Sequence, residues 1–177
     1  MTHRLATEFD ARAIAELHLA SWRSAYREFL PPEVLAGLDL DAHTAEWWRR
    51  VTVPEVRIEL ELLRTRLIAF CAHGPSGDQG EQGRSRGRVW EIKNLHVRPD
   101  LRRTGAGGRL FDLAVEHART LDASAVTLWV VERNAPARRF YEKKGMAPDG
   151  ERTTHTLGAD GTMPVVRYRL NLHQDPE

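Results

Sequence analysis

Cysteine is almost absent from this chain, with only Cys71 among 177 residues, so no internal disulfide can form. Cys71 lies in the apolar run "LIAFCA", which predicts a buried strand thiol rather than a nucleophile. No apolar run approaches the ~20 residues of a membrane helix. The first ten residues, "MTHRLATEFD", contain no apolar signal-peptide core. We therefore expect a cytoplasmic protein without a membrane partner.

The chain also lacks an excess of charge of either sign, since its net charge is +1 at pH 7. A nucleic-acid partner would need a basic face, so we expect none. The eight histidines show no metal-ligand spacing with each other or with Cys71, and we expect no metal. A length of 177 residues suits one domain over 1–177, and a homodimer is an assembly that the sequence leaves open.

Apolar periodicity predicts strands in series, followed by alternating strands and helices. The strand segments are "HRLAT", "VRIELELL", "RLIAFCAH", "RVWEIKNLHV", "AVTLWVV" and "TMPVVRYRLNL". Helices are predicted after Asp10, over "DLDAHTAEWWRRV" with Asp41 as its cap, and over "NAPARRFYEKK" with Asn134 as its cap. The order indicates an α/β fold with one mixed sheet and flanking helices. The glycine-rich stretch 74–87 is predicted to be a mobile loop.

Glycines are concentrated at one strand-to-helix junction, in "LHVRPDLRRTGAGGRLFDLAVEHA" at residues 95–118. Glycine weakens a helix, so bare backbone at this place suggests a ligand that must approach it closely. A helix N-terminus offers unpaired N–H groups and partial positive charge, and neighbouring arginines add charge-assisted contacts. A plain glycine-rich turn with surface arginines remains the alternative. The junction predicts an anion site, and a pyrophosphate would suit it.

Two common phosphate-binding turns do not match this junction. A P-loop needs Lys and Ser or Thr after the last glycine, where Arg109 and Leu110 stand. A dinucleotide-binding turn needs a glycine at the position of Leu110.

The junction instead resembles the signature of the GNAT superfamily of acyl-CoA-dependent N-acyltransferases. That signature is Val-x-Pro, then Arg or Gln, then Gly-x-Gly or Gly-x-Ala, and it matches Val97, Pro99, Arg102 and the glycines at 105–107. A second family motif is similar to "LWVVERNAPARRFYEKKGM" at the right distance. The segment "SWRSAYREFLPPEVL" also resembles a bacterial branch whose substrates are mostly unassigned.

The resemblance implies acetyl-CoA as cosubstrate and a sheet of six to seven mostly antiparallel strands whose central strands are splayed. Backbone groups freed by the splay would pair with pantetheine, and the amides of the glycine turn would hold the pyrophosphate. One freed N–H would polarise the acetyl carbonyl. The implied cofactor-binding residues are Leu95, His96, Val97, Arg102, Arg103, Thr104, Gly105, Ala106, Gly107, Gly108 and Asn134.

Two residues are implied as catalytic. Glu91 lies six residues before Val97, a spacing that resembles that of the general-base glutamate in the histone-acetylating branch. Glu132 and His96 are alternative bases. Tyr141 matches the tyrosine that the family places near the CoA sulfur, where a phenol can protonate the leaving thiolate.

The first helices should bind the acceptor, because aromatic residues are concentrated there. We select Trp22, Tyr26 and Phe29 as candidate substrate-binding residues, although core packing explains them as well, and the same holds for Trp47 and Trp48. Nearby acidic residues that could attract a cationic amine are Glu33, Asp39, Asp41 and Glu46.

The sequence thus predicts an N-acetyltransferase that moves an acetyl group from acetyl-CoA to a primary amine of a small molecule by direct attack. Two other functions stay open. One is acetylation of protein lysines or N-termini. Against the N-terminal form, Trp129 stands where the ribosomal-protein N-terminal acetyltransferases carry a glutamate. The other is an acyl-CoA-binding regulatory module without turnover.

Overall fold

A computed structural model describes residues 1–27, 32–77, 88–157 and 161–173. The helices in these ranges are α1 (Ala11–Tyr26), α2 (Pro32–Ala36), α3 (Leu40–Val51), α4 (Ala106–Thr120) and α5 (Ala135–Lys143). The strands are β1 (Thr2–Leu5), β2 (Arg57–Leu63), β3 (Arg66–Pro75), β4 (Val89–Val97), β5 (Ala125–Val131), β6 (Ala147–Leu157) and β7 (Gly161–Asn171). Within these ranges, no helix is both long and apolar enough to cross a membrane.

The strands form one seven-stranded sheet in the order β1-β2-β3-β4-β5-β7-β6. β4 and β5 run parallel, and the pairs β1–β2, β2–β3, β5–β7 and β6–β7 run antiparallel. The predicted α/β class with a mixed, mostly antiparallel sheet is therefore confirmed. β6 is a strand that we did not predict.

Backbone contacts divide the chain into two compact units. We call them the N-terminal unit (Met1–Gly74 and Asn94–Ala114) and the C-terminal unit (Pro75–Lys93 and Val115–Glu177). The single domain over 1–177 stays a prediction. Of the stretch 74–87, Gly74 and Pro75 belong to β3, and residues 78–87 lie outside the described ranges.

The parallel pairing of β4 and β5 is short. It joins Val89 to Ala125, Trp90 to Val126 and Glu91 to Thr127, whereas β4 continues to Val97. Beyond Glu91, the β4 backbone has no ladder partner on β5, as expected for splayed strands.

The N-terminal unit packs α1 and α3 on one side of β2 and β3. Its core contains Ala11, Ile14, Ala15, Leu17, Trp47, Ile58, Leu60, Phe70 and Ala72. Ile58, Leu60, Phe70 and Ala72 recur at every second position because successive strand residues point to opposite faces. Cys71 points away from this core and is fully buried, which confirms the buried strand thiol, and burial raises the pKa of the thiol.

The predicted cap of α3 needs correction, and Asp10 stands at the N-cap position of α1 without a capping hydrogen bond from its side chain. Asp39, not Asp41, caps α3, since its carboxylate accepts the Asp41 N–H at 2.8 Å. Asp10 precedes α1, but its carboxylate accepts the N–H of Thr7 at 2.8 Å and pairs with Arg4. The Asp10 carboxylate thus satisfies the turn before α1 rather than the first turn of the helix.

The opposite side of the β1–β2–β3 sheet buries two carboxylates, Glu59 and Glu61. Glu59 accepts hydrogen bonds from Arg57 and His3, and His73 Nε2 lies 3.9 Å away. Burial by itself would raise the pKa of Glu59, but the interactions with His73, Arg57 and His3 outweigh burial and lower it to about 2.

Helix α4 approaches β4 at Gly107. A Cβ atom at this position would lie 3.0 Å from Val97 Cγ2, closer than side chains normally pack. The glycine therefore sets the distance between the first turn of α4 and the end of β4.

We expect Glu59→Gln to reduce the acid sensitivity of the protein. Because the pKa of Glu59 is lowered on folding, its stabilising effect is complete above the unfolded pKa near 4.3 and disappears as the pH falls towards 2. The effect amounts to about 3 kcal/mol of unfolding free energy. Urea unfolding at pH 7 and pH 3 should show a smaller difference for Glu59→Gln than for wild type. The exposed Glu55→Gln serves as control, and an equal pH dependence in wild type and Glu59→Gln would contradict the assignment.

A second prediction concerns Gly107 and Val97. Alanine is favoured over glycine in a helix by about 1 kcal/mol, but the added methyl would crowd Val97 at a cost of about 1–3 kcal/mol. Gly107→Ala should therefore destabilise wild type and become neutral or stabilising in a Val97→Ala background. Urea unfolding of the four proteins in this double-mutant cycle measures the coupling. Equal effects of Gly107→Ala in both backgrounds would show that the contact does not constrain the turn.

Candidate active site

The end of β4 presents three of the predicted cofactor-binding residues, Leu95, His96 and Val97. All three are half-buried and lie beyond the last residue that pairs with β5. The next residue, Arg98, donates its N–H to Ile68 O at 2.8 Å and so fixes the exit of β4 against β3. The end of β4 is therefore fixed to β3, whereas its backbone groups have no ladder partner on β5.

The glycine turn follows at once. After a short 3-10 turn at Pro99–Leu101, Arg103 and Gly105 adopt positive φ angles of 66° and 84°. Thr104 Oγ1 donates to Leu101 O at 2.9 Å, which braces the turn from within. Glycine takes such angles without strain, and here an arginine takes one too.

Helix α4 then begins with unused N–H groups. Its first helical hydrogen bond runs from Arg109 N to Gly105 O at 3.0 Å, so the amides of Ala106, Gly107 and Gly108 have no acceptor inside the helix. Free amides and the positive end of a helix dipole are groups that favour an anion.

The arginines near the turn play different roles. Arg102 and Arg103 are exposed, as an anion partner would need. Arg109, in contrast, binds the buried Glu61, with Nη2 at 2.9 Å from Oε1. Arg109 thereby supplies the counter-charge of a buried carboxylate and ties α4 to β2.

In the C-terminal unit, Asn134 and Tyr141 lie at the start and near the end of α5. Asn134 Oδ1 accepts the Ala137 N–H at 3.2 Å, which confirms the predicted cap. The Nδ2 amide of Asn134 has no partner among the described residues and is left as a donor.

The Tyr141 side chain is buried, with its ring 6.4 Å from that of Tyr168. Tyr168 also fixes α5, because its hydroxyl donates to Glu142 at 2.7 Å and accepts from Arg138 at 3.0 Å. The helix that carries Tyr141 is thus held to β7 by part-buried hydrogen bonds as well as by ring packing.

Both candidate base residues in this unit are ion-paired. Glu91 Oε2 lies 2.8 Å from the Nζ atom of Lys93, two positions along β4 on the same face. Glu132 pairs with Arg152. Because both glutamates are ion-paired, pairing does not identify either of them as the base.

In the N-terminal unit, Trp22 and Tyr26 lie next to each other on α1, with ring centroids 6.0 Å apart. Both are half-buried, and burial raises the pKa of Tyr26. Phe29 lies outside the described residues. Trp47 is a core residue at 1% exposure, and Trp48 is 51% exposed.

The acidic residues expected to attract a cation are mostly engaged. Asp39 caps α3, Asp41 lies 3.4 Å from Arg12, and Glu46 pairs with both Arg49 and Arg50. Glu33 is exposed on α2. These contacts account for three of the four acids without a ligand.

His18 is a residue that we did not select. Its ring lies 4.7 Å from that of Trp22 and 4.6 Å from that of His96. Burial, followed by the charges of His96, His43 and Arg50, lowers the pKa of His18. Burial and the charge of Arg102 lower the pKa of His96 to about 4. The sequence signal for His18 was its position on the buried face of α1, four residues before Trp22.

Comparison with known proteins agrees with this geometry. The model of the acetyltransferase (GNAT) family matches residues 13–146. A probable N-acetyltransferase of Mycobacterium tuberculosis is 29% identical over 94% of this chain and 91% of its own length. An uncharacterized N-acetyltransferase of Bacillus subtilis, YhfO, is 37% identical over 84% of this chain and 91% of its own length.

Solved structures share the fold. A GCN5-related N-acetyltransferase from Rhodopseudomonas palustris superposes with a TM-score of 0.76 at 18% identity, covering 97% of this chain and 95% of that one. The PaiA N-acetyltransferase from Thermoplasma acidophilum, solved with coenzyme A, gives a TM-score of 0.70 at 16% identity, with coverages of 94% and 98%. A putative acetyltransferase from Salmonella typhimurium, YncA, solved with acetyl-CoA, gives 0.68 at 17% identity, with coverages of 100% and 98%.

The family match spans more than half of the chain and includes the end of β4, the glycine turn and α5. The chain therefore belongs to the GNAT family of N-acetyltransferases and is an acyltransferase.

Proposed function

We propose that this acetyltransferase takes acetyl-CoA as its donor and acetylates a primary amine of a small molecule by direct attack. In this proposal, residues 1–177 act as one domain in the cytoplasm. The observation that carries the proposal is the start of α4, where three amides lack helical acceptors beside two exposed arginines. Two structural neighbours were solved with coenzyme A or acetyl-CoA, which supports this donor.

The residues of the N-terminal unit fit the phosphates and the arm of such a donor. The amides from Arg103 to Gly108, with Arg102, would hold the pyrophosphate. The β4 backbone at Leu95, His96 and Val97 would pair with the pantetheine arm as a further strand. When bound, acetyl-CoA supplies an activated acetyl thioester.

Asn134 is proposed as a further contact of the pantetheine arm. Its Oδ1 is used by the helix cap, whereas its Nδ2 amide remains a donor for a carbonyl oxygen. One side chain can therefore cap α5 and bind the donor at the same time.

The reaction requires the ammonium to lose one proton before attack, the attacking nitrogen to lose a second as the amide forms, and the thiolate to gain one. Glu91 accepts the first proton through water, and the second passes to solvent as the C–N bond forms and the C–S bond breaks. The Tyr141 hydroxyl donates a proton to the departing sulfur. These two roles follow the family resemblance.

The test of the donor is a matched pair of charge reversals. Arg103 and Arg64 are both exposed and have similar positive φ angles of 66° and 57°. Arg103→Glu should weaken acetyl-CoA binding about tenfold or more, because it replaces an attractive charge by a repulsive one. Arg64→Glu, with the same change of charge and the same backbone strain, should leave binding unchanged. Calorimetric titration with acetyl-CoA measures both, and equal effects would remove the turn from the donor site.

The test of the base compares two ion-paired glutamates. At saturating substrates and neutral pH, Glu91→Gln should lower kcat by about 10²–10⁴, and the loss should shrink at high pH because more amine is then neutral. Glu132→Gln breaks a comparable ion pair and should retain most activity. Lys93→Met removes the ion pair of Glu91 but keeps its carboxylate, so it should also remain active.

Other outcomes of this comparison reassign the base. A larger loss for Glu132→Gln would transfer the role to Glu132. Equal losses for Glu91→Gln and Lys93→Met would show that the ion pair, not proton transfer, is what matters. If all three variants stay active, the enzyme accelerates the reaction mainly by aligning its substrates.

A further inference from the structure

Arg109, in the first turn of α4, carries a charge that the proposed function does not use. Its Nε and Nη2 atoms lie 3.3 and 2.9 Å from Oε1 of Glu61, and Nη2 also lies 2.7 Å from the Met1 sulfur. The Glu61 side chain is 4% exposed, whereas that of Arg109 is 46% exposed. The carboxylate is therefore the buried end of this ion pair, and the guanidinium reaches the surface.

The guanidinium keeps hydrogen-bond donors that its ion pair does not use. The N–H groups of Nε and Nη2 face Glu61 and Met1. The N–H groups of Nη1 have no hydrogen-bond partner among the described residues. Because two hydrogen bonds to Glu61 restrict the guanidinium, Nη1 is held in one place with its donors available.

The Nη1 atom lies against the glycine turn. A Cβ atom built on Gly105 would be only 3.1 Å from Arg109 Nη1, so the guanidinium lies where a side chain at Gly105 would be. Gly105 directly precedes the amides of Ala106, Gly107 and Gly108, which lack helical acceptors. A positively charged group with unused donors is therefore next to the backbone that the proposed function assigns to the phosphates.

We infer that Arg109 is a further phosphate-binding residue of the donor site, and that Glu61 orients it while weakening its attraction for phosphate. The inference rests on the proposed function, in which the glycine turn binds the pyrophosphate of acetyl-CoA. Arg109 Nη1 donates to a phosphate oxygen as a charge-assisted hydrogen bond. A long side chain that is already ordered loses less conformational entropy on binding. The negative charge of Glu61 acts on the same phosphates in the opposite direction.

Two glutamates of β2 form a matched pair that tests this inference. Glu59 and Glu61 are both buried and lie on the same face of the strand. Glu59 accepts hydrogen bonds from Arg57 and His3 rather than from α4. Glu61→Gln keeps an acceptor for Arg109 and removes the negative charge, so it should tighten acetyl-CoA binding about threefold or more. Glu59→Gln should leave the affinity unchanged, and calorimetric titration with acetyl-CoA measures both.

Variants of Arg109 test the other member of the pair. Arg109→Met should weaken acetyl-CoA binding about tenfold or more, because it removes the donors and leaves the charge of Glu61 unpaired. Arg109→Lys keeps the charge and should retain most of the affinity. The double variant Glu61→Gln, Arg109→Met should bind more weakly than Glu61→Gln and more tightly than Arg109→Met. Urea unfolding reports whether each protein is folded. If Arg109→Met does not fold, the double variant, which leaves neither charge unpaired, is compared with Glu61→Gln instead.

Salt separates an effect of charge from an effect of shape. Raising the ionic strength to about 1 M reduces the Debye length to about 3 Å. The difference in acetyl-CoA affinity between wild type and Glu61→Gln should then shrink, because the Arg109 side chain is partly exposed and its field is screened. A difference that does not change with salt would show that Glu61 acts through the shape of the turn, and this result overturns the inference.

Other results also overturn the inference while the proposed function stands. Equal tightening by Glu61→Gln and Glu59→Gln would indicate a general effect of net charge. Unchanged or weaker binding by Glu61→Gln would show that the ion pair only joins α4 to β2. Unchanged binding by Arg109→Met, or equal binding by the double variant and Glu61→Gln, would remove Arg109 from the phosphate site. Failure of wild type to bind acetyl-CoA is a different outcome, since it overturns the proposed function itself.

Discussion

The end of the β4–β5 ladder is the constraint on which the site depends. Backbone N–H and C=O groups need partners, and β4 runs six residues beyond Glu91, its last residue paired with β5. A strand with an open side is a ready surface for an extended ligand. The end of β4 is instead held by β3, through the hydrogen bond from Arg98 N to Ile68 O. Because β3 fixes the end of β4, the strand keeps its position without a ladder to β5.

At the glycine turn, the pairing of nearby charges leaves the backbone amides at the start of α4 without a partner. A helix start concentrates unpaired donors, and a nearby carboxylate would normally be a natural partner for them. The buried Glu61 of β2 is instead bound by Arg109 of α4. Its negative charge is compensated by a side chain, so the amides of Ala106 to Gly108 remain for a ligand. Gly107 keeps these amides close to Val97, because a Cβ atom there would lie only 3.0 Å from Val97 Cγ2.

Local features were predictable from the sequence, whereas features that depend on distant contacts were not. The Asn134 cap follows from a short-range rule, because its Oδ1 accepts an N–H three residues later. β6 was missed because its segment "APDGERTTHTL" is polar and lies at the edge of the sheet, where no apolar alternation is required. The cap of α3 was misplaced by two residues because Asp39 and Asp41 are equally good caps by composition.

In the candidate site, too, local features were predictable and features that depend on distant contacts were not. The glycine turn was predicted from a motif because its residues are consecutive in the sequence. His18 was not found, because its meaning depends on Trp47, 29 residues later, and on His96 in a different strand. A histidine on an apolar helix face has no distinctive pattern until its partners are known. The identity of the base remains a prediction for a related reason, since Glu91 and Glu132 are both paired and differ only in their place on the fold.

His96 connects the end of β4 to helix α1 within the N-terminal unit. Its backbone belongs to the open strand, its Nδ1 lies 3.1 Å from Ser21 Oγ on α1, and its ring contacts that of His18. Arg102 of the glycine turn lowers the pKa of this imidazole through its charge. An anion that pairs with Arg102 would compensate part of that charge and weaken its effect on His96. In the proposed function, Arg102 would therefore bind the phosphates of the donor and would also affect the charge state of His96 at the end of β4.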